Sequence, residues 1–339
     1  MSFPLPSAML EIVSSVRRST RRAALPSSKL RAATLTGQPT KVGVVGLPTD
    51  LGASHRGVEL GPAALRIAGL FELLEEAGHG TVDTGDISVP HRRTLREGDA
   101  RLRYGKPIAA LSQQLYRTVR SVAEAGTLPL VLGGDHSLSI GSVAAMADFV
   151  ADQGGRLGVI WLDAHCDMNT PDTTPSGNVH GMSLASLLGR GPAEFLGVGQ
   201  RSPSLAPEQV ALVGCRSIDP GEARWISECG ILSYPMQAIE EQGISAVMRE
   251  ALDRLLSTCT HLHLSFDIDC IDPAIARGVG TRVHGGMSVA ETRRTLELIR
   301  DAQRCVSVDV VEVNPLRDHE NETAELTVSL LSSLFGSLA

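Results

Sequence analysis

Asp163, His165 and Asp167 alternate with Ala164 and Cys166, Asp267 and Asp269 flank Ile268, and His136 closes the segment Gly133-Gly134-Asp135-His136. In an extended segment a spacing of two puts side chains on one face, so each of the first two segments presents its polar groups together. Pooled in one pocket, these residues make four carboxylates and two imidazoles. Four like charges crowded in a low-dielectric site are costly. Two divalent ions would neutralise them, and six side chains serve two ions only if some carboxylates bridge. Two-metal hydrolytic sites space their ions ~3.5–4 Å apart, a distance that a carboxylate spans. Oxygen and nitrogen donors without thiolate favour manganese, magnesium or a similar hard ion over structural zinc. Either short motif alone is weak evidence; their conjunction is not. Cys166 and Cys270 lie beside the ligands but point the other way by the same alternation, and read as small core residues.

Each of these motifs must be held by an element that precedes it. Short apolar runs at 128–132, 157–162 and 261–266 end immediately before them, and a fourth run at 306–311 ends at Glu312. Further runs lie at 41–47 and 210–213. Such runs read as strands buried on both faces. Helical patterns lie between them, at about 62–77, 107–125, 137–150, 221–230, 240–257, 288–303 and 321–335. The alternation predicts the α/β class: a single three-layer α/β/α domain with a central, mostly parallel sheet. In such sheets ligands bind at the carboxyl ends of strands, and acids and histidines follow four strands here. Glu312 extends a strand expected to be buried, and a buried acid needs a partner.

Composition limits the remaining possibilities. Apolar residues make up 42% and charged residues 20%, a globular balance. No apolar run approaches the ~18 residues of a membrane-spanning helix, so no membrane span is expected. Aromatics are 3% and the net charge is −7, which argues against nucleic acid as a partner and is compatible with a cationic substrate. Residues 1–41 carry seven basic residues and one acid, Glu11, so the rest of the chain is strongly acidic. Residues 1–40 read as an N-terminal extension, flexible or targeting-like, ahead of a catalytic domain at 41–339. Its Ser/Arg-rich, acid-poor composition would suit a mitochondrial transit peptide; otherwise the expectation is cytoplasmic. Six cysteines without a CxxC pair read as free thiols in a reducing compartment.

With these residues in hand, the chain resembles the arginase family of ureohydrolases. The matching motifs are Gly133-Gly-Asp-His-Ser137, Asp163-Ala-His-Cys-Asp167, Ser265-Phe-Asp-Ile-Asp-Cys-Ile-Asp-Pro273 and Val311-Glu-Val-Asn-Pro315, with Gly57-Val-Glu-Leu-Gly-Pro62 resembling the N-terminal motif. The resemblance implies two Mn2+ ions. One would be held by His136, Asp163, Asp167 and Asp267, the other by His165, Asp163, Asp267 and Asp269, with Asp163 and Asp267 bridging. It implies hydrolysis of L-arginine to L-ornithine and urea by a metal-bridging hydroxide oriented by Asp167, with His180 in acid/base work. Thr281 and Glu312 would face the guanidinium. Asn169, Ser176 and Asn178 would hold the α-carboxylate, and Asp219 and Glu222 the α-amino group. A homo-oligomer, trimer or hexamer, goes with the resemblance. Arg282 stands where the family usually has proline, in the loop that also carries His284, and keeps another ureohydrolase activity open, on agmatine or guanidinobutyrate. A non-catalytic metal-bound homologue is the alternative of a different class.

Overall fold

The computed structural model describes residues 32–336. The expected extension therefore lies largely outside the described residues, as does the transit-peptide reading. Its last part, 32–40, packs on the domain: Leu35 is 1% exposed and its amide donates to the Cys305 carbonyl at 2.8 Å.

Among the described residues ten strands form: β1 (Lys41–Leu47), β2 (Gly80–Asp86), β3 (Gly98–Asp99), β4 (Leu102–Arg103), β5 (Leu128–Gly133), β6 (Leu157–Leu162), β7 (Val210–Val213), β8 (Leu232–Tyr234), β9 (His261–Asp267) and β10 (Cys305–Val311). The helices are α1 (Gly61–Ile67), α2 (Leu70–Glu76), α3 (Gly105–Glu124), α4 (Ser139–Asp152), α5 (Ser183–Leu187), α6 (Ala193–Leu196), α7 (Pro220–Cys229), α8 (Met236–Gln242), α9 (Ile244–Leu256), α10 (Val289–Asp301) and α11 (Glu322–Phe335). Eight strands make one sheet in the order β2-β1-β5-β10-β9-β6-β7-β8, with every pairing parallel; β3 and β4 form a separate antiparallel hairpin. The expected three-layer α/β/α architecture is thus present.

Strand side chains alternate between two cores, as period two requires. Leu130, Leu132, Ile160 and Leu162 face a core shared with α1, α2, α9, α10 and α11. Val131, Val159 and Trp161 face the opposite core, built with α3, α4 and α5. The four strands that carry chemistry, β5, β10, β9 and β6, are the contiguous centre of the sheet. Their carboxyl ends are therefore neighbours, and side chains from segments far apart in sequence meet there.

Two expected helices are each divided. The pattern at 62–77 breaks into α1 and α2 at Gly69, and the pattern at 240–257 becomes α8 and α9, separated by Gly243. Both glycines have positive φ, 89° and 80°, a conformation that costs other residues strain and ends a helix.

One glycine decides how closely β5 can approach the loop after β1. A Cβ on Gly134 would fall onto the Thr49 carbonyl and lie 2.7 Å from its nitrogen, backbone atoms that cannot swing aside. Gly134→Ala is expected to lower unfolding free energy by about 3 kcal/mol. Gly80→Ala, where a methyl meets nothing within 4 Å, is the matched control. Equal denaturant midpoints for the two variants would contradict this account of the β5 turn.

Candidate metal centre and active site

The i, i+2 spacing of the ligands works through turns rather than through a pleat. At the end of β5 the Asp135 carboxylate accepts from the Ser137 amide at 3.0 Å. Beyond β6, Asp163 accepts from the His165 amide at 2.6 Å, and at the end of β9 Asp267 accepts from the Asp269 amide at 2.8 Å. Each is a side-chain-closed turn of the kind aspartate favours. The segment 163–167 consequently leaves the extended path, and Asp167 sits at φ 52°, with its carbonyl accepting from Leu184 and Ala185 of α5. The expected convergence of Asp163, His165 and Asp167 occurs, but by this bend and not by strand alternation. Ala164, Cys166 and Cys270 are fully buried, as core residues should be.

The His136 Nδ1 lies 3.0 Å from an Asp163 oxygen, 3.1 Å from Asp167 and 3.2 Å from Asp267. The His165 Nδ1 lies 3.0 Å from Asp269 and 3.4 Å from Asp163. Two clusters result, His136/Asp163/Asp267 and Asp163/His165/Asp269, sharing Asp163. His136 Nδ1 and Asp167 Oδ2 are buried without a hydrogen-bond partner. A neutral ring with its lone pair on Nδ1 would aim it at three carboxylate oxygens, a repulsive arrangement that a cation between them reverses. The electrostatics agree. Burial opposes a charged His136, yet the surrounding aspartates hold its pKa well above the usual value. Burial, with the charges of Asp269 and Asp163, pushes the Asp267 carboxyl well up. The site has surplus negative charge, and its hard-donor residues fit divalent metal ions of the manganese or magnesium type.

Groups behind these candidate ligands fix their orientation. The His136 ring stacks on Trp161 at 4.2 Å and its Nε2 meets the Ser265 hydroxyl at 2.7 Å. The Trp161 indole donates to Asp163 at 3.0 Å, and the Ala164 amide donates to Asp269 at 3.1 Å. Arg216, which sequence reasoning missed, donates to the Asp269 carbonyl at 2.7 Å and the Val283 carbonyl at 2.6 Å, tying the β9 turn to the next loop.

A cavity of about 350 Å³ opens over these strand ends. Every candidate site residue except Asp163 lines it; Asp163, 1% exposed, lies behind the wall. Beside the His/Asp clusters, Glu312 follows β10 at φ 66°. One of its oxygens accepts from the His136 amide at 3.0 Å and meets the His180 Nδ1 at 2.9 Å; the other is buried without a partner. Burial opposes the His180 imidazolium, but the facing Glu312 charge raises its pKa to about 9. Thr281 lies on the same wall.

The rest of the cavity wall carries neutral polar and acidic groups. The Asn169 amide donates to Asp219 at 2.8 Å, and Ser176 and Asn178 lie on the adjoining loop. Asp219 and Glu222 begin α7. The two Glu222 oxygens accept from the Asp219 and Met168 amides, each at 2.9 Å. They are thus both a helix start and a cavity wall. Arg282 does not enter: its guanidinium donates outward to the Arg277 and Arg317 carbonyls at 2.7 and 2.6 Å. His284 is likewise exposed and absent from the wall. Ser54, His55 and Ser217 line the cavity and were not expected. Ser54 and His55 follow β1, and the strand-end logic applied to this fifth strand would have found them.

Fold and site together have the character of a metal-binding α/β enzyme. The chain belongs to the arginase family, whose model matches residues 40–336. It is 45% identical over 296 residues to the arginase of Bacillus caldovelox, covering 87% of this chain and 98% of that one. The native structure of a B. caldovelox arginase at pH 5.6 superposes with a TM-score of 0.84 at 43% identity, covering 88% of this chain and 99% of that one. The Entamoeba histolytica arginase, solved in complex with L-ornithine, gives a TM-score of 0.81 at 32% identity, with the same coverage of 88% and 99%.

Proposed function

We propose that this protein hydrolyses L-arginine to L-ornithine and urea. The observation that carries the reading is one cavity lined both by the His/Asp clusters with the buried Glu312 and by the polar set Asn169, Ser176, Asn178, Asp219 and Glu222. The relative solved with L-ornithine supports it, since ornithine is a product of that hydrolysis. Family membership and the hard donor set support two Mn2+ ions. His136, Asp163, Asp167 and Asp267 would hold one, and His165, Asp163, Asp267 and Asp269 the other, with Asp163 and Asp267 shared. Bound there, divalent ions would supply hydroxide near neutral pH by lowering the pKa of a water.

The chain's own groups do the rest. The unpartnered Glu312 oxygen accepts a guanidinium N–H and turns the guanidinium carbon toward the cluster. Asp167 accepts a hydrogen bond from the nucleophile and aligns it. His180, charged at neutral pH and anchored by Glu312, gives a proton to the departing amine. Thr281 borders the guanidinium. Asn169, Ser176 and Asn178 read the α-carboxylate, and Asp219 and Glu222 the α-ammonium. The six cysteines are free, which fits a reducing compartment such as the cytoplasm. No helix among the described residues is long and apolar enough to cross a membrane. A homo-oligomer, trimer or hexamer, belongs to the same reading and is read by sedimentation.

Turnover in heavy-oxygen water tests the reaction directly. Attack at the guanidinium carbon puts the label in urea and leaves ornithine unlabelled; labelled citrulline with ammonia would overturn it.

Glu222 gives a second check. Burial pushes its carboxyl up to about 7 from the usual 4.5, against the pull of the Asp219 and Met168 amides. An α-ammonium stabilises the ionised form, so below pH 7 binding must first expel a proton. KM for arginine is expected to rise as pH falls through 7, by up to about tenfold per unit. Glu222→Gln should show a higher KM that no longer changes across this window. A parallel pH dependence in both proteins would remove Glu222 from substrate binding.

A further inference from the structure

Behind the metal centre a chain of polar side chains runs into the core. Asp309 on β10 is fully buried, and sheet register puts it directly beside Ser265 of β9, which in turn pairs with Trp161 of β6. From α4, the Ser139 hydroxyl reaches Asp309 Oδ2 at 2.9 Å, and the Ser142 hydroxyl reaches the same oxygen. Ser139 also meets the Ser265 hydroxyl at 3.3 Å, and Ser265 meets His136 Nε2 at 2.7 Å. None of these groups touches the cavity, apart from His136 itself. Asp309 also faces the buried His263 Nε2 at 3.4 Å, its other oxygen has no partner, and nothing in the proposed reaction uses it.

The donor inventory gives the chain a direction. The Ser139 hydroxyl donates its proton to the Asp309 carboxylate. Ser139 can then only accept from Ser265. Ser265, its own proton spent, can only accept from His136, and Nε2 must carry the hydrogen. The lone pair is left on Nδ1, the atom that faces the three aspartates. Asp309 lies against the amino-terminal residue of the 14-residue α4, whose dipole favours a negative charge there.

We propose that Asp309 is a positioning residue that sets, through Ser139 and Ser265, the ring tautomer in which His136 offers Nδ1 to a metal ion. This rests on the metal-centre reading above. Ligating histidines generally have their second nitrogen fixed in this way by an outer partner, at a cost of about 10–100-fold in affinity when it is removed. With Asp309→Asn an amide can donate into the chain and reverse it. With Ser139→Ala, Ser265 loses its acceptor and is free to donate to Nε2. Ser142 bonds the same carboxylate but is not on the path to His136.

The experiment is a titration of metal-free protein with Mn2+, free ion being read by electron paramagnetic resonance, for the parent, Asp309→Asn, Ser139→Ala and Ser142→Ala. The expected result is two ions in the parent and in Ser142→Ala at equal affinity. In Asp309→Asn and Ser139→Ala, one ion should be weakened about 10–100-fold and the other unchanged. Should Asp309→Asn not fold, Ser139→Ala against Ser142→Ala decides. Parent-like affinity for both ions in Ser139→Ala, or equal weakening in Ser139→Ala and Ser142→Ala, overturns the proposal. A parent that takes up fewer than two ions overturns the metal-centre reading first, and the proposal with it.

Discussion

Replacing Asp163 with alanine is expected to cut urea release from arginine by at least about a thousandfold. Asp163 stands in both His/Asp clusters and touches both imidazoles, so its loss weakens both ions and leaves each histidine facing one carboxylate fewer. Preorganised charge at a reacting oxygen is by itself worth about 10²–10³ in turnover, and here the nucleophile's source is lost as well. Metal analysis separates this from misfolding. Asp163→Ala should retain less than one Mn2+ per chain, whereas His136→Ala, which belongs to one cluster, should retain about one. Equal metal content in the two variants would contradict the shared-ligand assignment.

Arginine is expected to exceed agmatine as a substrate by about 10⁴ in kcat/KM. A site built to hydrogen-bond a group rejects an analogue lacking it by roughly this factor, because its polar atoms go unpaired. The cavity carries polar groups suited to that role: Asn169, Ser176, Asn178, Asp219 and Glu222 all line it, with Asn169 oriented by Asp219. Asn178→Ala should mainly raise KM for arginine, since its contact lies away from the reacting carbon and is similar in ground and transition states. His180→Ala and Glu312→Gln should instead lower kcat, because the paired His180 and Glu312 are proposed to act at the guanidinium. If agmatine or guanidinobutyrate proved the better substrate, the carboxylate-binding roles would be wrong. Arg282 would not be the explanation, because its side chain bonds carbonyls away from the cavity.

The parts of this account legible in sequence are those that rest on period and on strand ends. Six apolar runs became strands because each is buried on both faces. β2 escaped notice because Gly80–Asp86 is an exposed edge strand with no apolar run, and β8 because three residues carry no period. The ligand motifs were legible in type and spacing, but the pleat was the wrong device. Aspartate closing a turn onto the amide two residues later gives the same spacing, and three strand ends share it. Residues that act through backbone carbonyls, such as Arg216, leave no spacing signal. Neither does the pairing of Asp309 with Ser265, which depends on the register between β9 and β10.

Hydrolysis of the arginine guanidinium is proposed to need both His/Asp clusters loaded with metal. The most direct test is to strip the protein of metal with a chelator and return Mn2+ in measured equivalents, following urea from arginine. The stripped protein is expected to release no urea, and recovery is expected to be complete only with the second equivalent per chain. Full urea release from protein shown to be metal-free, or complete recovery at one equivalent, would contradict that requirement.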